Sequence, residues 1–370
     1  RRAPMRPRGG NVPMSSDPKT ATGFEAGLQG ASEKVAEFHE EKTALKRIQH
    51  WLHQTPSAVP MIVLVAALVI FGLLSPNFFK ATTLSTILQQ IAIVGIIGCA
   101  QSLVVLTAGI DLSVGAIAVF SSVLMGQMTF RYGIPAPLAI ALGLALGTLM
   151  GFVNGWLVAK VKLPPFIVTL GTWQILLASN FIFSANETIR SSDIAAQAPS
   201  LQFWGGAIQP GGVKVLYAVF LLVALVALLA YVLRHTAWGR HVYAVGDDPE
   251  AAELAGVQTK RVLIQVYALA GLFCAIAGWV MIGRFGSVSP TASTGQLGNI
   301  QSITAVVIGG ISLFGGRGSI VGMFFGALIV GVFEMGLKMV GTDPQWTFFL
   351  IGLLIILAVA VDQWIRKAAA

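Results

Sequence analysis

The side chains able to do chemistry in this chain are few, and they are scattered through long apolar stretches. Gln101, Asn154, Thr169 and Thr172 are isolated hydrogen-bonding groups in apolar context, Glu334 is the one acid well inside an apolar run, and Asp111 stands at the boundary of another. Groups of this kind can replace water around a small polar solute, so they are the candidate lining of a translocation pathway. The role of each acid stays open at this level. Asp111 reads either as the N-cap of a helix beginning at 112, accepting the amides of Leu112, Ser113 and Val114, or as part of a moving path. Glu334, between Gly331 and Gly336, reads either as a buried, hydrogen-bonded carboxyl or as a path residue.

Other chemistries lack their residues. There is no phosphate loop of the G-x-x-x-x-G-K-[S/T] kind, no G-x-S-x-G and no H-E-x-x-H. The His residues at 39, 50, 53, 235 and 241 have no metal-ligand spacing, and Cys99 and Cys274 sit singly in apolar runs. Gly315-Gly316-Arg317-Gly318-Ser319 could cradle an anion but reads first as a tight interhelical turn. The expectation is a protein that is not an enzyme and has no cofactor, metal or catalytic residue.

One polar segment is organised differently. Asp247-Asp248-Pro249-Glu250-Ala251-Ala252-Glu253-Leu254-Ala255-Gly256 has capping-box spacing from Asp247 to Glu250, a Pro near the first turn and Gly256 as a stop. So short a helix is marginal in water, so it is expected to dock on something, with a solvated loop helix as the alternative.

The elements that must position these groups follow from composition. Of 370 residues 55% are hydrophobic and only 11% charged, with a mean hydropathy of +0.77, against roughly 25% charged in soluble domains. Continuous apolar runs, rather than short alternating segments, exclude a transmembrane barrel. The chain is therefore expected to be an all-α polytopic membrane protein with ten transmembrane helices, at about 58–74, 83–106, 112–129, 137–159, 165–184, 213–233, 263–283, 299–313, 320–340 and 345–362. The net charge of +8 is a matter of topology and not of nucleic acid. Placing both termini in the cytoplasm leaves only Lys80, Arg131, Arg190, Lys214, Arg284 and Lys338 of the 24 Lys and Arg outside.

Residues 1–31 are expected to form a disordered cytoplasmic tail and 32–57 an amphipathic cytoplasmic helix, lying on the bilayer or on a partner protein. Residues 58–367 form the transmembrane domain, with a cytoplasmic loop at 234–262. Gly143, Gly147, Gly151 and Gly155, and likewise Gly318, Gly322 and Gly326, recur every fourth residue, which lets helix backbones approach closely in lipid. Leu106–Gly115 and Leu313–Gly322 align as a weak repeat, the mark of two duplicated halves.

The chain resembles the permease subunits of ATP-binding-cassette (ABC) importers for monosaccharides, the ribose, xylose, arabinose and fructose group. The resemblance is carried by Leu106-Thr107-Ala108-Gly109-Ile110-Asp111-Leu112-Ser113-Val114-Gly115, Asn154-Gly155, Pro165 to Thr172, Ala244-Val245-Gly246 and Gly309 to Gly318, over about residues 58–367. It implies a bacterial inner-membrane subunit in the arrangement of the vitamin B12 type of permease (type II importer). It also implies a homodimer served by a cytoplasmic ABC ATPase and a periplasmic sugar-binding protein. Asp247, Asp248, Pro249, Glu250, Ala251, Ala252 and Gly256 would then form the coupling element to the ATPase, and Arg131, Arg190 and Arg284 would receive the binding protein. Glu334-Met335 departs from the neutral residue of many members, so no sugar contact is carried over there. The segments Thr342–Trp346 and Asp362–Lys367 look most like the fructose branch. The competing readings are a secondary transporter or channel that needs no motor, and a membrane-embedded enzyme. The lack of acidic relays argues against the first, and the lack of a catalytic constellation against the second.

Overall fold

A computed structural model describes residues 58–367, and the expected tail over 1–31 and helix over 32–57 lie outside the described residues. The described chain is helical almost throughout: α1 (Ala58–Leu74), α2 (Ala81–Leu106), α3 (Val114–Phe130), α4 (Ala136–Ala159), α5 (Pro165–Ser184), α6 (Ser191–Gln197), α7 (Tyr217–His235), α8 (Ala237–Asp247), α9 (Pro249–Leu254), α10 (Thr259–Phe285), α11 (Ala292–Ile308), α12 (Ile320–Val340) and α13 (Pro344–Lys367). Local chemistry sets several of the ends. A Pro occupies the first turn of α4 and of α5, where its missing N–H is no loss. α10 ends at Gly286, whose φ of 70° a side chain would resist. The one sheet is a two-residue antiparallel pair, β1 (Ala207–Ile208) with β2 (Val215–Leu216).

The expectation of ten spans is corrected to six. Each of the ten segments does carry a helix, but among the described residues only α2, α4, α5, α7, α10 and α12 are both long and apolar enough to cross a membrane. α1 and α3 have 17 residues each, a rise of about 25 Å at about 1.5 Å per residue against a hydrocarbon core of about 30 Å. α11 is interrupted by Ser, Thr, Gln and Asn, and in α13 the apolar stretch is only Phe348–Leu357. For α1 the expected run and the helix coincide, so the count fails on length and not on placement, and the ten-span, vitamin B12-type arrangement of two repeated halves falls with it.

The bundle is built around α2 and α10. From Ile91 to Leu106 every residue of α2 is buried, as in a helix surrounded by others, whereas α5 and α7 bury under a third of their most apolar stretch and present the rest outward. The glycine stripe of α4 allows close approach, as its spacing predicts, with Gly147, Gly151 and Gly155 against α10 and Gly143 against α3. A Cβ at Gly147 would stand 2.6 Å from the Ala275 Cβ and 2.7 Å from the Gly271 carbonyl oxygen, and one at Gly155 2.9 Å from the Ile264 Cα. Gly322 and Gly326 serve α12 in the same way against α11, at Gly309 and Ala305.

Loops gather at two ends. At one, the 107–113 turn, α8 and the 309–319 turn are in mutual contact, and α9 follows directly on α8. At the other, the 185–216 segment packs on the end of α10: Ile189 bridges Val288, Gln202 Nε2 donates to the Gly286 carbonyl at 2.7 Å, and Trp279 Nε1 donates to that of Ser200 at 3.2 Å.

Candidate transport path and coupling junction

The residues 110–115 form a turn whose polar atoms are held by three different helices. Asp111 is buried, and its Oδ1 accepts from the Ser113 N–H (2.7 Å) and hydroxyl (2.6 Å). The Ser113 oxygen in turn accepts from Asn154 Nδ2 of α4 (3.0 Å), and Asn154 Oδ1 accepts from the Thr172 hydroxyl of α5 (2.6 Å). Donors thus run in one direction, from Thr172 through Asn154 and Ser113 to the carboxylate. Burial pushes the Asp111 carboxyl up to about 6, and the bonds from Ser113 pull against that rise.

Helix α3 is capped by its neighbours instead of by its own residues. Ser113, at the N-cap position, makes no side-chain cap, and Asp111 does not reach Leu112 or Val114. The Leu112 N–H donates to Thr169 Oγ1 of α5 at 3.1 Å, and the Gly115 N–H donates to Asn299 Oδ1 of α11 at 2.6 Å. Asn299 Nδ2 returns a bond to the Leu112 carbonyl at 2.5 Å. The expected N-cap role of Asp111 is therefore replaced by an Asp–Ser turn clamped from α4, α5 and α11. Among the proposed path residues Asp111, Asn154, Thr169 and Thr172 converge here. Asn299 belongs with them and had no sequence signal beyond being one more amide in a polar helix start.

Glu334 and Gln101 lie apart from this clamp. Glu334 on α12 accepts from Gln90 of α2, from Gln301 Nε2 of α11 (2.9 Å) and from Lys338 Nζ (2.8 Å), so one carboxylate ties three helices together. Gln101 is wholly buried in α2, and neither amide atom has a protein hydrogen-bond partner. A buried amide left so is costly unless something polar joins it.

The segment expected to couple to an ATPase folds as two short helices. Thr236 caps α8, its Oγ1 accepting from Gly239 N at 3.1 Å. α9 is capped by Asp248, whose Oδ1 accepts from Glu250 N (2.9 Å) and Ala251 N (3.0 Å). The cap expected at Asp247 is thus moved by one residue, because Asp247 still closes α8 and only Asp248 has the extended backbone of a cap. Gly256 follows with a φ of 87° and open space around it. Ala252 is buried against its own chain, while Leu254, which the sequence reading passed over, is 91% exposed at the tip.

The junction under α8 is a meeting of three backbones. The Gly316 N–H donates to the Leu106 carbonyl at 3.0 Å, and Gly246 lies against both: a Cβ there would be 2.7 Å from the Gly316 nitrogen and closer still to the Leu106 oxygen. The Tyr243 hydroxyl donates to the Gly318 carbonyl at 3.0 Å, and burial raises its pKa, keeping that proton in place. At the opposite end of the bundle stand the proposed docking cations. Arg131 donates to the Phe183 carbonyl at 3.3 Å, Arg284 stacks over Phe285 with 5.2 Å to the ring centre, and Arg190, exposed, precedes α6.

The chain matches the family model described as branched-chain amino acid transport system, permease component, over residues 83–359. It is 65% identical over 349 residues to the fructose import permease protein FrcC of Rhizobium meliloti, covering 94% of this chain and 96% of that one. With the ribose import permease protein RbsC of Escherichia coli K12 it shares 36% over 313 residues, 85% of this chain and 94% of that one. With the galactose/methyl galactoside import permease protein MglC of Haemophilus influenzae it shares 33% over 312 residues, 80% and 91%. A family model that runs from the start of α2 into α13, and relatives aligned along nearly their whole length, place the chain in this family, and it is a non-catalytic, multi-pass permease subunit.

Proposed function

We propose that the cargo of this permease is fructose, moved into the cytoplasm as the free monosaccharide. The protein is the transmembrane permease subunit of a sugar ABC importer. The observation that carries the choice of cargo is the 65% identity to a fructose import permease, against 36% and 33% for ribose and galactose permeases. Family membership brings the partners of such importers, an ATPase and a binding protein. In our reading two copies of this chain sit in the bacterial inner membrane with both termini cytoplasmic. The ATPase is a separate cytoplasmic subunit and the sugar-binding protein is periplasmic.

The roles follow the geometry. Asp247, Asp248, Pro249, Glu250, Ala251, Ala252 and Gly256, with Leu254 at the tip, present a rigid knob to the ATPase. Asp111, Asn154, Thr169 and Thr172, with Gln101 and Glu334, serve the pathway, and Arg131, Arg190 and Arg284 meet acidic groups on the binding protein. The test is uptake of labelled fructose into liposomes holding the chain and its ATPase, with loaded binding protein outside. ATP-dependent accumulation that excess ribose and galactose do not suppress is expected. Transport by the chain alone, without ATPase or ATP, would instead make it a secondary transporter or channel.

A further inference from the structure

The outward face of α7 changes character along its length. Phe220, Val223, Ala227 and Tyr231 are exposed and recur every three or four residues, which is the stripe of a spanning helix turned to lipid. Arg234 continues that stripe in the last turn, with His235 beside it, so both stand on the lipid side at the depth of the headgroups. The His235 ring is stacked on that of Tyr231, with 4.9 Å between centres. Thr236 stiffens the corner that follows: its Oγ1 donates to the Val232 carbonyl at 2.7 Å and accepts from Gly239 N, closing α7 and opening α8 at once. From the first turn of α8, Trp238 Nε1 donates to Gln265 Oε1 of α10 at 3.0 Å. That bond leaves the Nε2 donors of Gln265 for a partner outside the chain, and Arg261, one turn earlier on the same face of α10, is exposed. Among the described residues neither Arg234 nor Arg261 has a carboxylate partner.

We infer that the corner of α7 and α8, with the start of α10, is a docking surface for the phosphates of anionic lipid headgroups. Arg234 and Arg261 supply the charge, Gln265 an amide donor and Trp238 an aromatic anchor. The planar fork of an arginine matches phosphate oxygens, and an indole with its N–H engaged is at home at the headgroup level. Lipid, and not the ATPase, is the occupant because Arg234 continues a lipid-facing stripe, whereas the acids and the exposed Leu254 offered to the ATPase belong to α9. The surface is independent of which sugar the permease carries.

The test places the full chain, with and without its ATPase, in nanodiscs of phosphatidylcholine and phosphatidylglycerol in equal parts, and reads by native mass spectrometry which lipid stays bound. Retention of phosphatidylglycerol over phosphatidylcholine is expected for the wild type. Removing one cation near an anionic surface weakens binding about fivefold, so Arg234→Gln combined with Arg261→Gln should lower that preference about 30-fold, while Arg→Lys at both positions should keep most of it. Lys160→Gln combined with Lys162→Gln removes equal charge from the turn between α4 and α5 and should leave the preference within about twofold. A wild type without preference overturns the surface. So does an equal loss from the Lys and Arg pairs, which would make the attraction a diffuse property of this end of the bundle. A preference that is present in the chain alone and vanishes when the ATPase is bound gives these cations to the ATPase, and overturns it too. If the doubly substituted Arg→Gln chain fails to assemble, the two single variants, each expected to lose about fivefold, decide.

Discussion

Replacing Gly246 by Ala should uncouple the permease while leaving it folded. The added Cβ would stand 2.7 Å from the Gly316 nitrogen and closer to the Leu106 oxygen, both backbone atoms, whereas real Cβ contacts essentially never fall under 3.0 Å. Neither neighbour is the end of a flexible side chain, so α8 must move away from the turns or the Leu106–Gly316 bond must break. Overpacking of this kind costs about 1–3 kcal/mol and a lost hydrogen bond about 0.5–1.5 kcal/mol, so the closed junction is weakened by about 2–4 kcal/mol. At about 1.4 kcal/mol per factor of ten, the closed form falls about 30- to 1,000-fold relative to the open one. Hydrogen exchange at the Gly316 amide reads that opening directly, and ATP hydrolysis stimulated by loaded binding protein reads its consequence. We expect faster exchange at Gly316 and loss of most of the stimulation, with insertion into the membrane unchanged. Wild-type exchange at Gly316 together with full stimulation would refute the argument that force passes through these three backbones.

Leu254→Asp should abolish stimulated hydrolysis without lowering the melting temperature, because the side chain is 91% exposed and supports nothing in its own chain; a titration of ATPase onto the variant checks that docking is what is lost. Asn154→Ala removes the bonds to Ser113 and Thr172 at once, and at about 0.6 kcal/mol for each intramembrane bond, rising to about 1.7, it should cost about 1–3 kcal/mol in thermal unfolding, with reduced uptake. Arg190→Glu should slow uptake at low ionic strength and much less at high, leaving ATPase assembly intact, as expected of an exposed charge that steers encounter; a salt series of initial uptake rates is the check.

The legible part of this molecule was chemical, and the illegible part geometric. Polar residues alone in apolar runs marked Asp111, Asn154, Thr169 and Thr172, which meet around one hydrogen-bonded turn, and by the same contrast Gln101 and Glu334, which lie apart from it. Asn299, a partner at that turn, stood in a helix start already rich in amides and hydroxyls, so its type carried no contrast. The glycine stripe of α4 could be read because close backbone approach needs a fixed four-residue spacing. The count of spans was misjudged on length: the apolar runs at 58–74 and 112–129 were placed where α1 and α3 lie, but helices of 17 residues were accepted as spans. Asp247 and Asp248 are equally good capping residues by type, and only the point where α8 ends selects the second.

The ten residues from Leu106 to Gly115 belong to both machines at once. Their first carbonyl is the acceptor at the junction under α8, and the amides of Leu112 and Gly115 further along are held by Thr169 and Asn299 on the proposed path. A segment bonded at both ends is a shared term in two binding equilibria, and thermodynamic linkage then works in both directions. On the roles proposed above, by whatever factor ATPase docking at α9 would change the affinity of the clamp for cargo, cargo in the clamp would change the affinity for the ATPase by that same factor.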